Sequence, residues 1–394
     1  MKKLRDAGGT IGAVVALLAV FGFASDAPAK PFQTGFADPL FSSADAGTRA
    51  TWLDRAHQAR AKIARIDVSW RSVAPSVEPA DPTDPAAYDW GTIPAAANDA
   101  KAHGLKVLLT VSGAPDWAEG PGRPRGVRPG TWRPDASAFG EFGRALAAQF
   151  GDNVRHYQAW NEPNLFTTLN PQYKGGRLVA PDIYRRILNS FYDSVHAVQP
   201  NAVVVSAGTG PYGDPPGGHR TRPLRFLREL LCLKDRRKLR SAKCPEKAKL
   251  DVLAHHPINS SGGPKRSAVH PDDVSTPDVK HVVRTLRKAE KRHRVKPRGR
   301  HPVWLTEFWW ESKPPDRCTG IPLRRHARWI SKALKSFKKQ GASVAINYLI
   351  RDRPYQPSQC GRGSFQSGVF FVDGERKPAF RSFREFSRTG GGRS

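Results

Sequence analysis

The sequence predicts a single-domain α/β fold, a closed (β/α)8 TIM barrel with long strand-to-helix loops. Three observations carry that prediction. Short apolar runs alternate with longer helical stretches along the chain, the pattern of a parallel sheet with crossover helices. Eight such units follow residue 30, the number that closes a barrel. Helix-to-strand links are short (His103-Gly104-Leu105, residues 151–153 and 199–201), whereas strand-to-helix links are long. A doubly wound open sheet is the competing architecture, but no G-x-G-x-x-G follows the first strand to support it.

The elements follow in order. Strand one is expected at 34–37, with a helix over 44–61, and strand two at 63–68. A helix at 93–103 stops at Gly104, and strand three spans 106–111. A long loop with Trp117 and Trp132 leads to a helix at 136–150, ended by Gly151. Strand four, 154–159, precedes a helix at 181–198 that ends before Pro200. Strand five (202–206) and a basic helix (224–233) come next, then strand six (250–255) and a second basic helix (278–292). Strand seven (303–306), a helix at 323–340 stopped by Gly341, strand eight (343–349) and a closing helix in the tail at 368–388 complete the count.

Two strand ends carry chemistry. The run Val154 to Ala159 ends in Trp160-Asn161-Glu162-Pro163, and Val303-Trp304-Leu305-Thr306 ends in Glu307-Phe308-Trp309-Trp310. A carboxylate leaving a strand end and followed by proline is placed, Asn161 can bond a ligand hydroxyl, and Trp160 can wall a site. In a barrel both glutamates fall on the C-terminal face, where active sites are built. Two carboxyl groups facing one cleft are the minimum equipment for hydrolysing a glycosidic bond. The competing reading is a pair of structural carboxylates matched with basic neighbours.

The chain carries a net charge of +29, concentrated at 220–249 and 280–300. One reading is attraction to an anionic polymer; the other is a solvated outer helical face. Nucleic acid is not expected, since no helix-turn-helix, zinc-finger or RRM pattern occurs. Residues 1–29 read as a signal peptide: a basic start, an apolar run from Ile11 to Phe23 and an Ala27-Pro28-Ala29 cleavage site, with an uncleaved anchor as the alternative. The catalytic domain is then 30–394, in an extracellular or periplasmic protein. Four cysteines in an exported chain suggest disulfides. Cys318 and Cys360 fall in neighbouring loops after strands seven and eight, and Cys232 and Cys244 form a local staple. No C-x-x-C spacing supports a metal site.

On these residues the chain resembles glycoside hydrolases of the large (β/α)8 superfamily with catalytic glutamates on strands four and seven, the group of cellulase-, xylanase- and β-xylosidase-like families. Asn161-Glu162-Pro163 matches the acid/base motif and Thr306-Glu307 the nucleophile. Arg65 matches an arginine beside the nucleophile, and His255-His256-Pro257 a position that bonds it. The tail from Gly368 to Phe380 is similar to the end of such domains. The resemblance implies retention by double displacement, with Asn161 bonding the sugar 2-hydroxyl and no cofactor or metal. Many relatives carry a tryptophan platform on strand eight, where this chain has Tyr348. Tyr348, Trp309 or Trp310 must then serve as the platform. A barrel that binds glycans without cleaving them is the other function class.

Overall fold

Eight parallel strands close on themselves in the computed structural model, which describes residues 31–259, 262–359 and 363–391. The expected signal peptide lies outside the described residues. The barrel strands are β1 (Gln33–Ala37), β2 (Ile63–Ser69), β3 (Lys106–Ser112), β4 (His156–Ala159), β5 (Val203–Thr209), β6 (Val252–His255), β7 (Val303–Phe308) and β8 (Val344–Tyr348). Each pairs in parallel with the next, and β1 closes the ring against β8. The crossover helices are α1 (Ala46–Gln58), α2 (Ile93–Ala102), α3 (Ala136–Phe150), α4 (Ala180–Val198), α5 (Pro223–Leu230), α6 (Val279–Lys291) and α7 (Leu323–Lys339), with α8 (Pro378–Thr389) after the last strand. The (β/α)8 architecture expected from the sequence is the one observed.

Alternation along the strands divides the interior into two layers. Ile63, Leu108, Val205, Val252, Ala254, Trp304, Val344 and Ile346 fill the barrel lumen. Ala64, Ile66, Val68, Leu109, Val204, Leu253 and Leu305 point outward into the core shared with the helices. Side chains two residues on from the lumen layer therefore line the upper barrel: Arg65 and Asp67 on β2, Thr110 on β3, Gln158 on β4, Thr306 on β7 and Tyr348 on β8. Every group on the C-terminal face thus stands on an apolar floor.

The closing seam is held by contacts of two kinds. Asp38, just past β1, accepts from the amides of Ile350 and Arg351, just past β8, at 3.0 and 3.2 Å. Along the length of β1 α8 packs on it, with Phe36 stacked on Phe383 at 4.3 Å and Phe32 edge-on to Phe386 at 5.5 Å. A buried Lys377–Asp352 pair at 2.6 Å, with Ser312 also accepting from Lys377, joins the loops after β7 and β8 to the start of α8.

Most boundaries shift from the sequence expectation by one to three residues, and two of the shifts have a visible cause. The basic helix expected at 224–233 ends at Leu230, because Cys232 takes φ +53° and starts a short hairpin pairing Leu233–Lys234 with Arg240–Ser241. The Cys232–Cys244 disulfide, with Cα atoms 5.8 Å apart, spans this hairpin as expected. The other expected bridge ends on Cys360, which lies outside the described residues. Strand five runs on to Thr209 and contains a bulge, because Gly208 at φ +59° inserts one residue into the ladder with β6.

The tight closure of β1 on β2 depends on Gly35. A Cβ there would stand 2.5 Å from the Ile63 carbonyl oxygen, a backbone atom that cannot swing away. Gly35→Ala should therefore destabilise the fold by about 1–3 kcal/mol. Urea unfolding would read this as a lower midpoint with an unchanged slope, and an unchanged midpoint would refute the contact.

Candidate active site

The site is organised by one buried guanidinium. Arg65, 3% exposed, donates to Asp67 Oδ1 (3.0 Å), the Thr306 carbonyl (3.1 Å), Glu307 Oε2 (3.2 Å) and Asn161 Oδ1 (3.2 Å). It thereby joins β2, the loop after β4 and β7 across the lumen. Because Asn161 spends its oxygen on Arg65, its amide nitrogen is the group that can donate to a ligand.

Glu162 and Glu307 meet at His256. Its Nδ1 lies 2.9 Å from Glu162 Oε1 and 3.8 Å from Glu307 Oε2, so the separation of these two oxygens cannot exceed the sum of those distances. Its Nε2 lies 3.1 Å from Thr306 Oγ1. Burial pushes His256 down to about 4, with the neighbouring Glu307 opposing that shift. The ring is thus neutral near pH 7 and carries one proton. With that proton on Nδ1, the ring donates to an ionised Glu162 and Nε2 accepts from the Thr306 hydroxyl. When Glu162 is protonated, the carboxyl donates to Nδ1 instead and the ring proton faces Thr306 Oγ1. A hydroxyl suits both arrangements because it can donate or accept.

The carboxyls are treated differently. Burial raises Glu162 to about 7, only partly offset by Arg65. Burial also raises Glu307, but both His256 and Arg65 oppose that rise. With Glu307 receiving the direct Arg65 bond, Glu162 is the carboxyl that keeps a proton near neutrality.

Local irregularity aims these groups. Glu162 and Trp160 have φ of +45° and +71°, conformations costing on the order of 1–3 kcal/mol each. The turn is secured by Thr168, whose hydroxyl donates to the Glu162 carbonyl (2.6 Å), and by Trp160 Nε1, which donates to the Thr168 carbonyl (2.9 Å). Asn164, fully buried, accepts from the Gly210 amide and donates to the Gly210 and Thr221 carbonyls, fixing the loops after β4 and β5 to each other. On β7 the register slips between Leu305 and Phe308, so Glu307 turns toward Arg65 although Thr306 already faces the lumen. A Cβ on Gly208 would stand 2.7 Å from Gln158 Nε2 and 2.9 Å from His256 Nε2, so the β5 bulge also clears the space that His256 occupies.

The other sequence candidates separate. His255 points outward, is buried, and bonds Thr209 Oγ1 (2.9 Å) and the Val274 carbonyl (3.2 Å) behind the barrel wall. His256 alone of the pair reaches the site, and its close partner is Glu162 rather than Glu307. Trp310 is buried, donates to the Gly262 carbonyl and packs on Trp329, so it supports the loop after β7. Trp160 is fully buried against Phe139 and does not wall the cleft. Trp309 is half-buried, 6.2 Å from Phe365, which lies 5.8 Å edge-on from Tyr348. Tyr348 accepts from Arg353 Nη2 (3.0 Å), and burial together with the nearby Glu307 charge pushes its hydroxyl up to about 12.

Sequence reasoning missed Asp67, whose signal was its spacing of two from Arg65 on one strand face. It also missed Gly208, a glycine inside a strand run that marks a bulge. Phe365, from the loop after β8, had no such signal. A polar cavity of about 220 Å3 extends from Arg65, Asp67 and Asn161 toward Ser112, Arg128 and Thr168. Among the described residues no group of three or more His, Cys, Asp or Glu side chains is arranged to hold a metal ion.

No protein-family model and no curated protein sequence matches the chain. Solved structures do. A family 39 glycoside hydrolase from the gut symbiont Bacteroides cellulosilyticus WH2 aligns at 17% identity and TM-score 0.62, over 91% of this chain and 63% of its own. A GH5_18 protein from Streptomyces cattleya in complex with Manb1-4GlcNAc aligns at 17% identity and TM-score 0.59, over 92% and 82%. The exo-beta-1,4-mannosidase Op5Man5 from Opitutaceae bacterium strain TAV5 aligns at 13% identity and TM-score 0.54, over 91% and 59%. The chain therefore spans less than two thirds of the first and third of these proteins. At such identities the likeness establishes the shared barrel.

The raised Glu162 carboxyl has a measurable consequence for stability. A folded-state value of about 7 against an ordinary 4.5 means its favourable contribution is complete below about pH 4.5. That contribution is lost as pH rises through about 7. Glu162→Gln should unfold like the parent at pH 4 and be more stable at pH 8 by on the order of 1–3 kcal/mol. A parent-to-variant difference in urea midpoint that does not change with pH would contradict the assignment.

Proposed function

We propose that the chain is an exported glycoside hydrolase that cleaves O-glycosidic bonds with retention, through Glu307 as nucleophile and Glu162 as acid/base. The observation that supports it best is the meeting of two strand-end carboxyls at one histidine nitrogen, one held beside a guanidinium and the other kept protonated. Glu307 attacks the anomeric carbon while Glu162 gives its proton to the leaving oxygen, which generates a glycosyl-enzyme. Glu162, now ionised, takes a proton from water as that water attacks, and Glu307 is released. Asn161 Nδ2 donates to the sugar 2-hydroxyl, and Arg65 keeps Glu307 ionised. Tyr348, Phe365 and Trp309 form the apolar face for a sugar ring.

The structural neighbours include an exo-beta-1,4-mannosidase and a protein holding Manb1-4GlcNAc, so β-linked manno-oligosaccharides head the substrate screen. Residues 1–29 serve as the export signal, and the Cys232–Cys244 disulfide suits an oxidising compartment. No helix among the described residues is long and apolar enough to cross a membrane. The concentrated basic charge adds an anionic polymer as a partner apart from the substrate. A barrel that binds glycans without cleaving them is the competing reading; hydrolysis of any aryl glycoside excludes it.

The two glutamates should fail differently. Glu307→Ala should abolish turnover of an aryl glycoside, and added azide should restore it with the opposite anomer as product. Glu162→Ala should lose roughly 10²–10⁴-fold on substrates with poor leaving groups and little on activated ones, with azide products retaining configuration. Turnover by the parent should fall as pH rises through about 7, where Glu162 loses its proton. NMR of the first-formed anomer reads the stereochemistry directly. Inversion, or two variants with parental rates, would dismiss this pair.

A further inference from the structure

A second cavity, of about 500 Å3, opens on the outer wall between α5, α6 and the disulfide-spanned hairpin. The two basic stretches of the sequence converge there. Arg228 comes from α5, Arg236 and Arg237 from the hairpin tip, and Lys280, His281 and Arg284 from the first turns of α6. The hairpin tip is held in place. The Cys232–Cys244 bridge spans its base, Leu239 is buried beneath it, and Arg284 Nη2 donates to the Arg237 carbonyl at 2.9 Å. A held hairpin backbone removes part of the ordering cost of binding there.

The nearby carboxylates are already committed. Asp272 takes both terminal nitrogens of Arg228 (2.7 and 2.8 Å), Asp273 is paired with Arg222, and Asp278 accepts from Ser275 and the Ala268 amide. Arg236, Arg237, Lys280 and Arg284 form no ion pair with a carboxylate among the described residues. The lining carries Arg228, Arg236, Arg237, Lys280 and Arg284 against two carboxylates, Asp273 and Asp278, and a concave wall with that excess of positive charge attracts anions.

From this we infer that the cavity is an accessory binding site for an acidic polysaccharide, separate from the cleft of Glu162 and Glu307. Arginine forks match carboxylate groups in two-point geometry. Val269, 96% exposed at the lip, gives a small apolar strip suited to the C–H face of a sugar ring. Among the described residues no Phe, Tyr or Trp lines the cavity, so it lacks the broad stacking platform that single-stranded nucleic acid uses. The inference goes beyond hydrolysis and does not depend on it.

The test is binding of the full chain, in a Glu162→Gln background, to immobilised polygalacturonate, with neutral dextran as the control polymer. Binding should weaken steeply between about 50 mM and about 300 mM NaCl. The triple variant Arg236→Ala, Arg237→Ala, Arg284→Ala should lose about tenfold or more and show a shallower salt dependence. The triple Arg324→Ala, Arg325→Ala, Arg328→Ala removes the same charge from exposed positions on α7 and should bind like the parent. Equal losses in the two triples would reduce the effect to net charge and overturn the site. So would equal binding to dextran, or no binding to polygalacturonate at low salt. Because the readout is binding, a failed hydrolase reading leaves the result intact, and the reverse also holds.

Discussion

A buried cation in the barrel lumen is the constraint on which the upper half of the structure depends. A guanidinium removed from water costs several kcal/mol unless acceptors surround it. Arg65 finds them on three separate parts of the ring: Asp67 on its own strand, Asn161 after β4, and Glu307 with the Thr306 carbonyl on β7. Charge counting then fixes the protonation states. One guanidinium faces Asp67 and Glu307, and the histidine between the glutamates is neutral because burial holds it down. A third negative charge has no cation left to meet it. Burial, only partly offset by Arg65, keeps the proton on Glu162 to about pH 7, so the site holds one ionised and one protonated carboxyl.

Regular strands could not have delivered these groups together. Alternation sends Thr306 inward and the next residue outward, and on β6 it sends one histidine inward and the other out. The irregular register on β7 lets both Thr306 and Glu307 address the lumen, where the threonine hydroxyl touches His256 and the glutamate touches Arg65. The Gly208 bulge on β5 performs the complementary task, because any side chain there would overlap the Gln158 amide and the His256 ring. The positive φ values of Trp160 and Glu162 belong to the same pattern. Left-handed residues thus stand at the ends of strands four and five and a register slip on strand seven, above a lower barrel filled by apolar side chains.

The fold was legible in the sequence because it depends on periodicity and loop length, which a single chain displays openly. Strand limits came within a few residues, and the early end of α5 was missed because a left-handed Cys232 looks like any other helical residue until the hairpin is seen. In the site, Glu162, Glu307 and Asn161 were readable as strand-end polar groups, Arg65 on strand two only through the family resemblance, and strand alternation allowed only one of His255 and His256 to face inward. Which of the two histidines faces the lumen depends on register, which bulges shift. The aromatic residues were the least legible, since tryptophan serves packing and ligand stacking equally well. Trp160 and Trp310 are buried by neighbours from distant loops, and no local pattern announces those neighbours.

Tyr348 illustrates how a loop can complete what a strand leaves open. A tyrosine on β8 presents a narrower face than an indole would, and its hydroxyl is tied to Arg353 rather than free. Phe365 stands edge-on beside it, with the Arg353 guanidinium 4.7 Å over the phenylalanine ring, and Trp309 continues the surface on the other side. Phe365 comes from a loop, so its position needs support. Glu311 accepts from the Phe365 amide and the Ser364 hydroxyl, and Asp316 also accepts from Ser364. The buried Lys377 ammonium donates to Asp352, Ser312 and the Gln366 carbonyl. Each of these groups would be costly to leave unpaired, so the network holds the loops after β7 and β8 as one piece. The composite aromatic face is therefore as fixed as a single strand residue would be, but its shape is set by loop sequence. Loops vary more readily than barrel strands, so the shape of this aromatic face is set in the loops, whereas Arg65, Glu162, His256 and Glu307 are placed by the strands and their ends.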